Sequence, residues 1–461
     1  MKRNFIKYIK LKNFKNFANL EVDFTSALDS NYPSLIFVYG GNGVGKTNIF
    51  SLLSFLKESI RLPSQKNARP YYREIRFDID DSETFEYGDA GEDGIKPLIK
   101  KYKRFGSENL KMDISIGFDF MGDEYFYHIV TDDCSVIYEN LAIRENVRIT
   151  NIFLIDKGNE IYLSAKHLPF NELRMQLIND IKLMFGRNSF LALLYDYYRK
   201  MNYNNISKTI SSQLVHVFQA LSNFDIINEM SFNYRMPFKS RKILLPSLLQ
   251  GIITNDEHAD SKFKNTIDLL MVFYKKYIPN IEHLEYKKIY VQDSIKYFLV
   301  FKKRNAEGKL IEIPYKDESY GTIALTRLIV SFLKVLLGQV VILDDLYLGL
   351  HDAILSHIFL DFSKIEKIID GTMLGHGGQL FVIAQNTVYF SNDLRDNIYL
   401  LNNELGQAPT STFEPLSFYN RAYQPKSNFR NVYLKGKKGD ASFSAYDENA
   451  DLDKIIEILD R

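Results

Sequence analysis

Residues 40–47 read Gly40-Gly41-Asn42-Gly43-Val44-Gly45-Lys46-Thr47, a complete G-x-x-x-x-G-K-[ST] sequence. The apolar run Leu35–Tyr39 precedes it and is typical of a buried parallel strand. After it, apolar residues recur at helical spacing: Ile49, Leu52, Leu53 and Leu56. A strand, a glycine-rich loop and a helix in this order form the context of a phosphate-binding loop. The sequence therefore predicts binding of a nucleoside triphosphate.

Each part of this loop has a chemical task. Glycines let backbone N–H groups wrap the β-phosphate, and the start of the helix adds its partial positive charge. Lys46 is predicted to reach the β- and γ-phosphates and to act in catalysis, and Thr47 to ligate Mg²⁺. ATP and Mg²⁺ are the predicted cofactors. The predicted nucleotide-binding residues of the loop are Gly40, Asn42, Gly43, Val44, Gly45, Lys46, Thr47 and Asn48.

Two further stretches supply candidate site residues. The apolar run 340–343 ends in Asp344 and Asp345; the first carboxylate is predicted to hold Mg²⁺ and the second to polarise the attacking water. A turn-forming Asp-Asp pair is the alternative interpretation, which the phosphate loop disfavours. Upstream, a predicted helix begins at Ser319, and its N-terminus is a ready anion site, although a simple helix cap also explains a serine there. The predicted binding residues here are Ser319, Gly321 and Thr322.

With these elements the chain resembles the ABC-type ATPase group that includes RecF, SMC heads, and the OLD-like and abortive-infection ATPases of bacterial anti-phage systems. This resemblance implies an α/β fold: an ABC-type P-loop ATPase head with a mixed sheet, an antiparallel β subdomain and an inserted helical lobe. The matching stretches are 11–17 (first strand), 40–47 (Walker A), 318–322 (a signature of the form E-S-x-G-T), 343–351 (Walker B and D-loop), 381–387 (switch strand) and 433–436 (Y-L-x-G).

Pattern changes along the chain predict its organisation. Residues 1–150 are predicted to form the N-terminal part of the ATPase core with Walker A and the β subdomain, 151–290 a helical insertion lobe, and 291–461 the C-terminal part with the signature, Walker B and switch strand. Alternating polarity predicts half-exposed strands at 5–14, 20–24, 112–120 and 124–130. Because no heptad is sustained over three or four repeats, no long coiled coil is predicted.

Two positions depart from the family pattern. The group usually has a catalytic Glu where this chain has Asp345, and a switch His where it has Gln385. A carboxylate one methylene shorter reaches the water less well, and an amide cannot carry a proton. The predicted catalytic set of Lys46, Asp345 and Gln385 therefore indicates a slow ATPase whose ATP-bound state persists.

Composition excludes several classes of function. The 58 basic and 57 acidic residues leave a net charge of +1, which gives no reason to expect tight non-specific binding to nucleic acid. The one cysteine, Cys134, allows no intramolecular disulfide and is interpreted as structural. The first residues carry no uninterrupted apolar stretch, and charges interrupt the longest apolar run, 323–350. The sequence thus predicts a cytoplasmic location and no membrane segment.

Two hypotheses for the biological role remain open. The resemblance implies that Ser319 and Gly321 of one copy cap the γ-phosphate held by Lys46 of another, so at least a homodimer is expected. The first hypothesis is an anti-phage ATPase that answers a phage-encoded trigger and controls a separate effector, such as a TOPRIM nuclease. The ATPase subunit of the PARIS system is similar in size and also lacks a fused nuclease, but no motif assigns the chain to that system.

The second hypothesis is a RecF-like or SMC-like ATPase that clamps DNA directly in repair or chromosome maintenance. It requires a local basic face, because the net charge is close to zero. A charge run is more often a solvated face, so DNA binding is the less favoured role. The candidate DNA-binding residues are Lys7, Lys10, Lys12, Lys15, Lys100, Lys101, Lys103 and Arg104.

Overall fold

The computed structural model of the protein describes residues 4–24, 34–62, 94–169, 172–200, 209–227, 243–244, 248–278, 280–344, 350–369, 377–384, 397–403 and 411–416. Its described helices are α1 (Lys46–Ser59), α2 (Lys96–Tyr102), α3 (Glu172–Met184), α4 (Phe190–Lys200), α5 (Ser212–Asn223), α6 (Ala259–Tyr277), α7 (Tyr320–Leu336) and α8 (Asp352–Ile369). Its described strands are β1 (Phe5–Phe14), β2 (Phe17–Asp23), β3 (Leu35–Tyr39), β4 (Met112–Phe120), β5 (Asp123–Thr131), β6 (Val136–Glu145), β7 (Arg148–Asp156), β8 (Glu160–Leu163), β9 (Phe224–Ile227), β10 (Gln250–Thr254), β11 (Ile281–Val291), β12 (Ser294–Arg304), β13 (Leu310–Pro314), β14 (Val340–Asp344), β15 (Gln379–Ile383), β16 (Ile398–Asn403) and β17 (Ser411–Pro415).

A six-stranded mixed sheet forms the centre of the molecule, in the order β17-β16-β3-β15-β14-β9. All of its pairings are parallel except that of β17 with β16. Every residue of β3, β14 and β15 is buried, as expected of strands covered on both faces. The predicted α/β class with a mixed sheet is confirmed.

Helices cover both faces of this central sheet. Ile36 and Val38 of β3 point into the core that contains the apolar face of α1, whereas Leu35 and Phe37 point into the core that contains α7. This alternation follows from the period of two in a strand. The helix that follows the phosphate loop and the helix that begins at Ser319 therefore pack on opposite faces of one sheet.

A seven-stranded antiparallel sheet forms a second layer, in the order β2-β1-β4-β5-β6-β7-β8. Strands β1 and β2 alternate buried and exposed positions, and β4 pairs with β5, as the sequence predicts. Buried polar contacts join this sheet to the central one: the Ile6 N–H donates to Gln379 Oε1 at 2.9 Å. Cys134, interpreted from the sequence as structural, lies in the turn between β5 and β6 and is exposed, so it is not part of the packed core.

The middle of the chain is not purely helical. Residues 151–290 contain α3, α4, α5 and α6, but β9 joins the central sheet beside β14, and β10 and β11 flank β12 in a third, antiparallel sheet that β13 completes. Here pairing with strands from elsewhere in the chain decides the structure, and a pattern within a four-residue or five-residue segment reveals little of it. Among the described helices α6 is the longest, at 19 residues.

Candidate nucleotide site

The phosphate loop lies at the carboxyl end of β3, where open α/β sheets bind ligands. Helix α1 begins directly after it, with Gly45 as the N-cap residue at φ 101°. A left-handed residue here turns the chain from the strand into the helix, which favours glycine. The loop and the neighbouring strand ends enclose a cavity of about 290 Å³, lined by Asn42, Gly43, Gly45, Lys46, Thr47, Asn48, Asp344 and Ile383. Six of the eight predicted loop residues thus line one cavity.

The other two predicted loop residues shape the loop from behind. Val44 is buried in the core and does not line the cavity. Gly40 is buried against β16, where a Cβ atom would lie 2.6 Å from the carbonyl oxygen of Leu401. A glycine is therefore required there for close approach of the two backbones.

Lys46 lies folded over the loop. Its Nζ donates to the carbonyl oxygens of Gly40 and Gly41, both at 3.0 Å, and the residue is 7% exposed. Lys46 also lines the cavity. The geometry fits a cation that binds phosphate oxygens in the same cavity.

Thr47 and Asp344 meet across the site, although 297 positions separate them in sequence. The Thr47 hydroxyl donates to Asp344 Oδ2 at 2.7 Å. Burial raises the pKa of the Asp344 carboxyl above its usual value, while the Thr47 hydrogen bond and the nearby Lys46 charge oppose that rise. A hydroxyl and a carboxylate side by side are the oxygen ligands that Mg²⁺ takes in phosphate-loop proteins, and the raised pKa indicates a carboxylate that a cation would stabilise. The residues present fit the predicted metal.

A contact from the first hairpin holds the phosphate loop in place. Asn16, in the turn between β1 and β2, donates from Nδ2 to the carbonyl oxygen of Val44 at 2.7 Å, and its Oδ1 accepts from Asn48 Nδ2 at 3.0 Å. The same amide lies against Gly45, where a Cβ atom would be 2.3 Å from Nδ2. Asn16 belongs to the stretch 11–17 that resembles the first strand of the ATPase group, but the sequence predicts no role for it. Its position at a hairpin turn, between Phe14 and Phe17, is the feature that could have indicated this contact.

The predicted signature residues lie at the start of α7. Ser319 is the N-cap residue; its Oγ accepts the Thr322 N–H at 3.3 Å and lies 2.8 Å from Thr322 Oγ1. Ser319 is exposed, Gly321 is half-buried and Thr322 is buried. The serine side chain therefore caps the helix and remains at the surface, and the anion site stays a prediction.

The structure brings six of the loop residues and Asp344 together in one cavity, and Ser319 is not among the residues that line it. Helices α1 and α7 contact opposite faces of the central sheet. Asp345, Gln385 and the stretch 433–436 lie outside the described residues, so their predicted roles stay predictions. Among the described residues, no group of three or more His, Cys, Asp or Glu side chains is placed to hold a metal ion.

Together, the mixed sheet, the loop at the end of β3 and the Thr47–Asp344 pair define a phosphate-loop nucleotide-binding protein. Residues 35–383 match the family described as "AAA domain, putative AbiEii toxin, Type IV TA system". The match covers well over half of the chain, and the chain belongs to this family. No curated protein matches the chain in sequence.

Similar solved structures include two archaeal Smc head domains. One, from Pyrococcus furiosus, has an extended coiled coil and is bound to the C-terminal domain of ScpA; it is 11% identical over 91% of this chain and 98% of that chain, with a TM-score of 0.34. The other, from Pyrococcus yayanosii, has a coiled coil and joint; it is 12% identical over 94% of this chain and 100% of that chain, with a TM-score of 0.38. Separately, no helix among the described residues is long and apolar enough to cross a membrane.

Proposed function

We propose that the protein is a slow ATPase in which two copies share each nucleotide. Lys46, Thr47 and Asp344 of one copy hold the triphosphate and Mg²⁺, and Ser319 of the second copy caps the γ-phosphate. Mg²⁺ would supply charge neutralisation on the phosphates when bound. ATP then joins the copies, and hydrolysis releases them.

The observation that carries this proposal is the placement of the two anion-binding helix starts. The loop before α1 and the start of α7 belong to helices that pack on opposite faces of the central sheet, and Ser319 is not among the residues that line the phosphate-loop cavity. Ser319 is nevertheless exposed, at a helix N-terminus whose first turn carries no acidic residue within α7. An exposed anion site of this kind suits a phosphate brought by another molecule.

The proposed biological role is that of a nucleotide-gated switch in anti-phage defence. Membership of a family described by a toxin of a Type IV TA system supports a place in such defence. The shortened carboxylate at Asp345 and the amide at Gln385 support slow turnover, which we expect below about 10 s⁻¹. A state that persists is useful for holding a separate effector, for which a nuclease is the proposed class, until a phage component triggers release.

Direct clamping of DNA receives less support. Four of the eight basic residues considered for it form ion pairs: Lys7 with Asp119 and Glu124, Lys10 with Glu21, Lys101 with Glu58, and Lys103 with Asp133. In addition, Lys15 Nζ donates to the carbonyl oxygen of Lys101 at 3.0 Å. These partners reduce the charge available for phosphate contacts along a duplex.

The test measures the mass of the native complex, purified with the proteins encoded beside it, with and without ATP. We expect the wild type to form a dimer or larger assembly with ATP and to retain a neighbouring protein, and Lys46→Ala to do neither. Lys200→Ala, which removes an exposed ion pair with Asp196, is the control and should behave like wild type. A monomer that ignores ATP would contradict the shared site, and an assembly that retains DNA would favour the clamp.

A further inference from the structure

A carboxylate is buried beside the proposed γ-phosphate site. Glu318 directly precedes Ser319, and its side chain is 2% exposed. Its Oε2 accepts the backbone N–H of Ser319 at 3.0 Å, so the negative charge lies at the very start of α7. Uncompensated, this charge would repel a phosphate that approaches the same helix terminus.

Lys303 compensates that charge. This residue lies near the end of β12, and its Nζ lies 2.6 Å from Glu318 Oε1 and 2.8 Å from Oε2. The Lys303 side chain is 15% exposed, so water screens the pair only weakly. The pair joins the third sheet to the first residue of the anion site.

A second polar chain fixes the same helix from the other side. Thr326 Oγ1 donates to the carbonyl oxygen of Thr322 at 2.8 Å and also contacts the hydroxyl of Tyr274 in α6. The Tyr274 ring packs edge to face on Phe301 of β12, with centroids 5.5 Å apart. Strand β12 therefore supports the start of α7 both through Lys303 and through α6.

We infer that Lys303 is a positioning residue for the shared ATP site: by neutralising Glu318 it keeps the start of α7 able to accept a γ-phosphate from a second copy. This inference rests on the proposed function. It assigns to Lys303 no contact with nucleotide; the residue acts through Glu318 and Ser319.

If Lys303 acts by neutralising Glu318, substitutions of these two residues should have different effects on ATP-dependent assembly. Lys303→Met keeps the aliphatic stem but leaves Glu318 unpaired, and should raise the protein concentration at which ATP hydrolysis is half-maximal by roughly tenfold or more. Glu318→Gln removes the repelling charge and leaves Lys303 cationic, so that concentration should stay equal or fall. The double variant Lys303→Met with Glu318→Gln should return to within about threefold of wild type.

The controls separate this inference from the proposed function. ATP binding by dilute protein reports the Lys46 side alone and should be unchanged in all three variants. If Ser319→Ala weakens assembly but Lys303→Met does not, the inference is wrong and the shared site stands. If Ser319→Ala has no effect either, the shared site itself fails. Should Lys303→Met not fold, Glu318→Gln decides: assembly weakened by this variant would mean a purely structural ion pair and overturn the inference.

Discussion

Helices α1 and α7 both begin at the proposed nucleotide sites, but their first turns are built differently. Helix α1 starts at Gly45, which has no side chain to cap the helix, and its first turn carries no acidic residue. Helix α7 starts at Ser319, whose own hydroxyl accepts the Thr322 N–H. The first terminus is shaped to receive a ligand, whereas the second is already satisfied and exposes the same hydroxyl that a phosphate would engage.

In the proposed mechanism the two helix starts therefore have different tasks. The start of α1 would hold the triphosphate within one copy, because the cavity, Lys46 and the Thr47–Asp344 pair lie together there. The start of α7 would meet a phosphate only when a second copy binds, and its cap stabilises the helix in the meantime. A third helix start gives the contrasting case of a terminus closed to ligands: in α4, the Phe190 and Leu191 N–H groups donate to the buried carboxylate of Glu139.

The largest effect is expected at the open terminus. Lys46→Ala removes the cation that reaches the phosphates and should lower ATP hydrolysis on the order of 10³-fold. The measurement is steady-state phosphate release, with nucleotide affinity determined separately in dilute protein. Lys200→Ala, which removes an exposed ion pair with Asp196, serves as the control. Hydrolysis within threefold of wild type in Lys46→Ala would refute the assignment of the phosphate loop.

The buried Glu139 carboxylate at the start of α4 should make the free energy of unfolding depend on pH. Glu139 is fully buried, which raises the pKa of its carboxyl to about 7, although the Leu191 and Phe190 N–H groups and the Tyr127 hydroxyl oppose the rise. The folded protein therefore holds this proton more tightly than the unfolded chain, whose carboxyl titrates near 4.5. The tighter proton binding by Glu139 therefore adds to the free energy of unfolding below about pH 4.5. This contribution of roughly 3 kcal/mol is lost as the pH rises through about 7.

Denaturant unfolding of wild type and Glu139→Gln across this pH range checks that expectation. The difference between the two free energies of unfolding should fall from pH 4.5 to pH 7 and then stay level. A constant difference over that range would mean that Glu139 is ionised throughout in the folded state.

The contact between Asn16 and the start of α1 can be tested with two glycines. Both Gly43 and Gly45 have positive φ, so alanine strains the backbone at either position. Only at Gly45 does the new Cβ meet Asn16; at Gly43 nothing lies within 4 Å. Gly45→Ala should therefore lower the free energy of unfolding by about 2 kcal/mol more than Gly43→Ala.

Removing the Asn16 side chain should abolish the extra cost of Gly45→Ala. In an Asn16→Ala background, Gly45→Ala and Gly43→Ala should cost nearly the same free energy of unfolding, as measured by chemical denaturation. If Gly45→Ala still costs more than Gly43→Ala in this background, the Asn16 side chain is not the cause of the difference.

The smallest effect on stability is expected at the self-capped terminus. Ser319→Ala removes one N-cap and should lower the free energy of unfolding by about 1 kcal/mol. Ser211, which caps α5 by accepting the Leu214 N–H at the same 3.3 Å, provides a matched control. Ser211→Ala also removes the contact of Ser211 Oγ with His167 Nδ1 at 3.0 Å, so it should lose at least as much stability, but only Ser319→Ala should reduce hydrolysis. Equal hydrolysis in the two variants would reduce Ser319 to a helix cap.

Local sequence patterns predict the phosphate loop and the start of α1, but not the residues that hold the proposed sites in place. The glycine spacing and the apolar run before it specify the strand, loop and helix, because each is decided within a few residues. The Thr47–Asp344 contact follows from the roles of the two motifs. Asn16 and Lys303 were not predicted, since each acts through a tertiary contact with a motif elsewhere in the chain.

The strands of the middle region were missed for a related reason. Strand β9 is four residues long and follows α5 without a break, so its sequence carries neither an alternating pattern nor a turn. Its parallel pairing with β14 makes it a strand of the central sheet. Such a segment takes its structure from its neighbour rather than from its own periodicity.

The central claim, that two copies share each ATP, is tested most directly by mixing two inactive variants. Lys46→Ala lacks the phosphate-loop cation but keeps Ser319, and Ser319→Ala has the reverse defect. A mixed dimer contains one complete site, so mixing the two should restore ATP hydrolysis to a substantial fraction of the wild-type rate. If the mixture hydrolyses ATP no faster than the sum of its separate components, each site is built within one copy and the account is wrong.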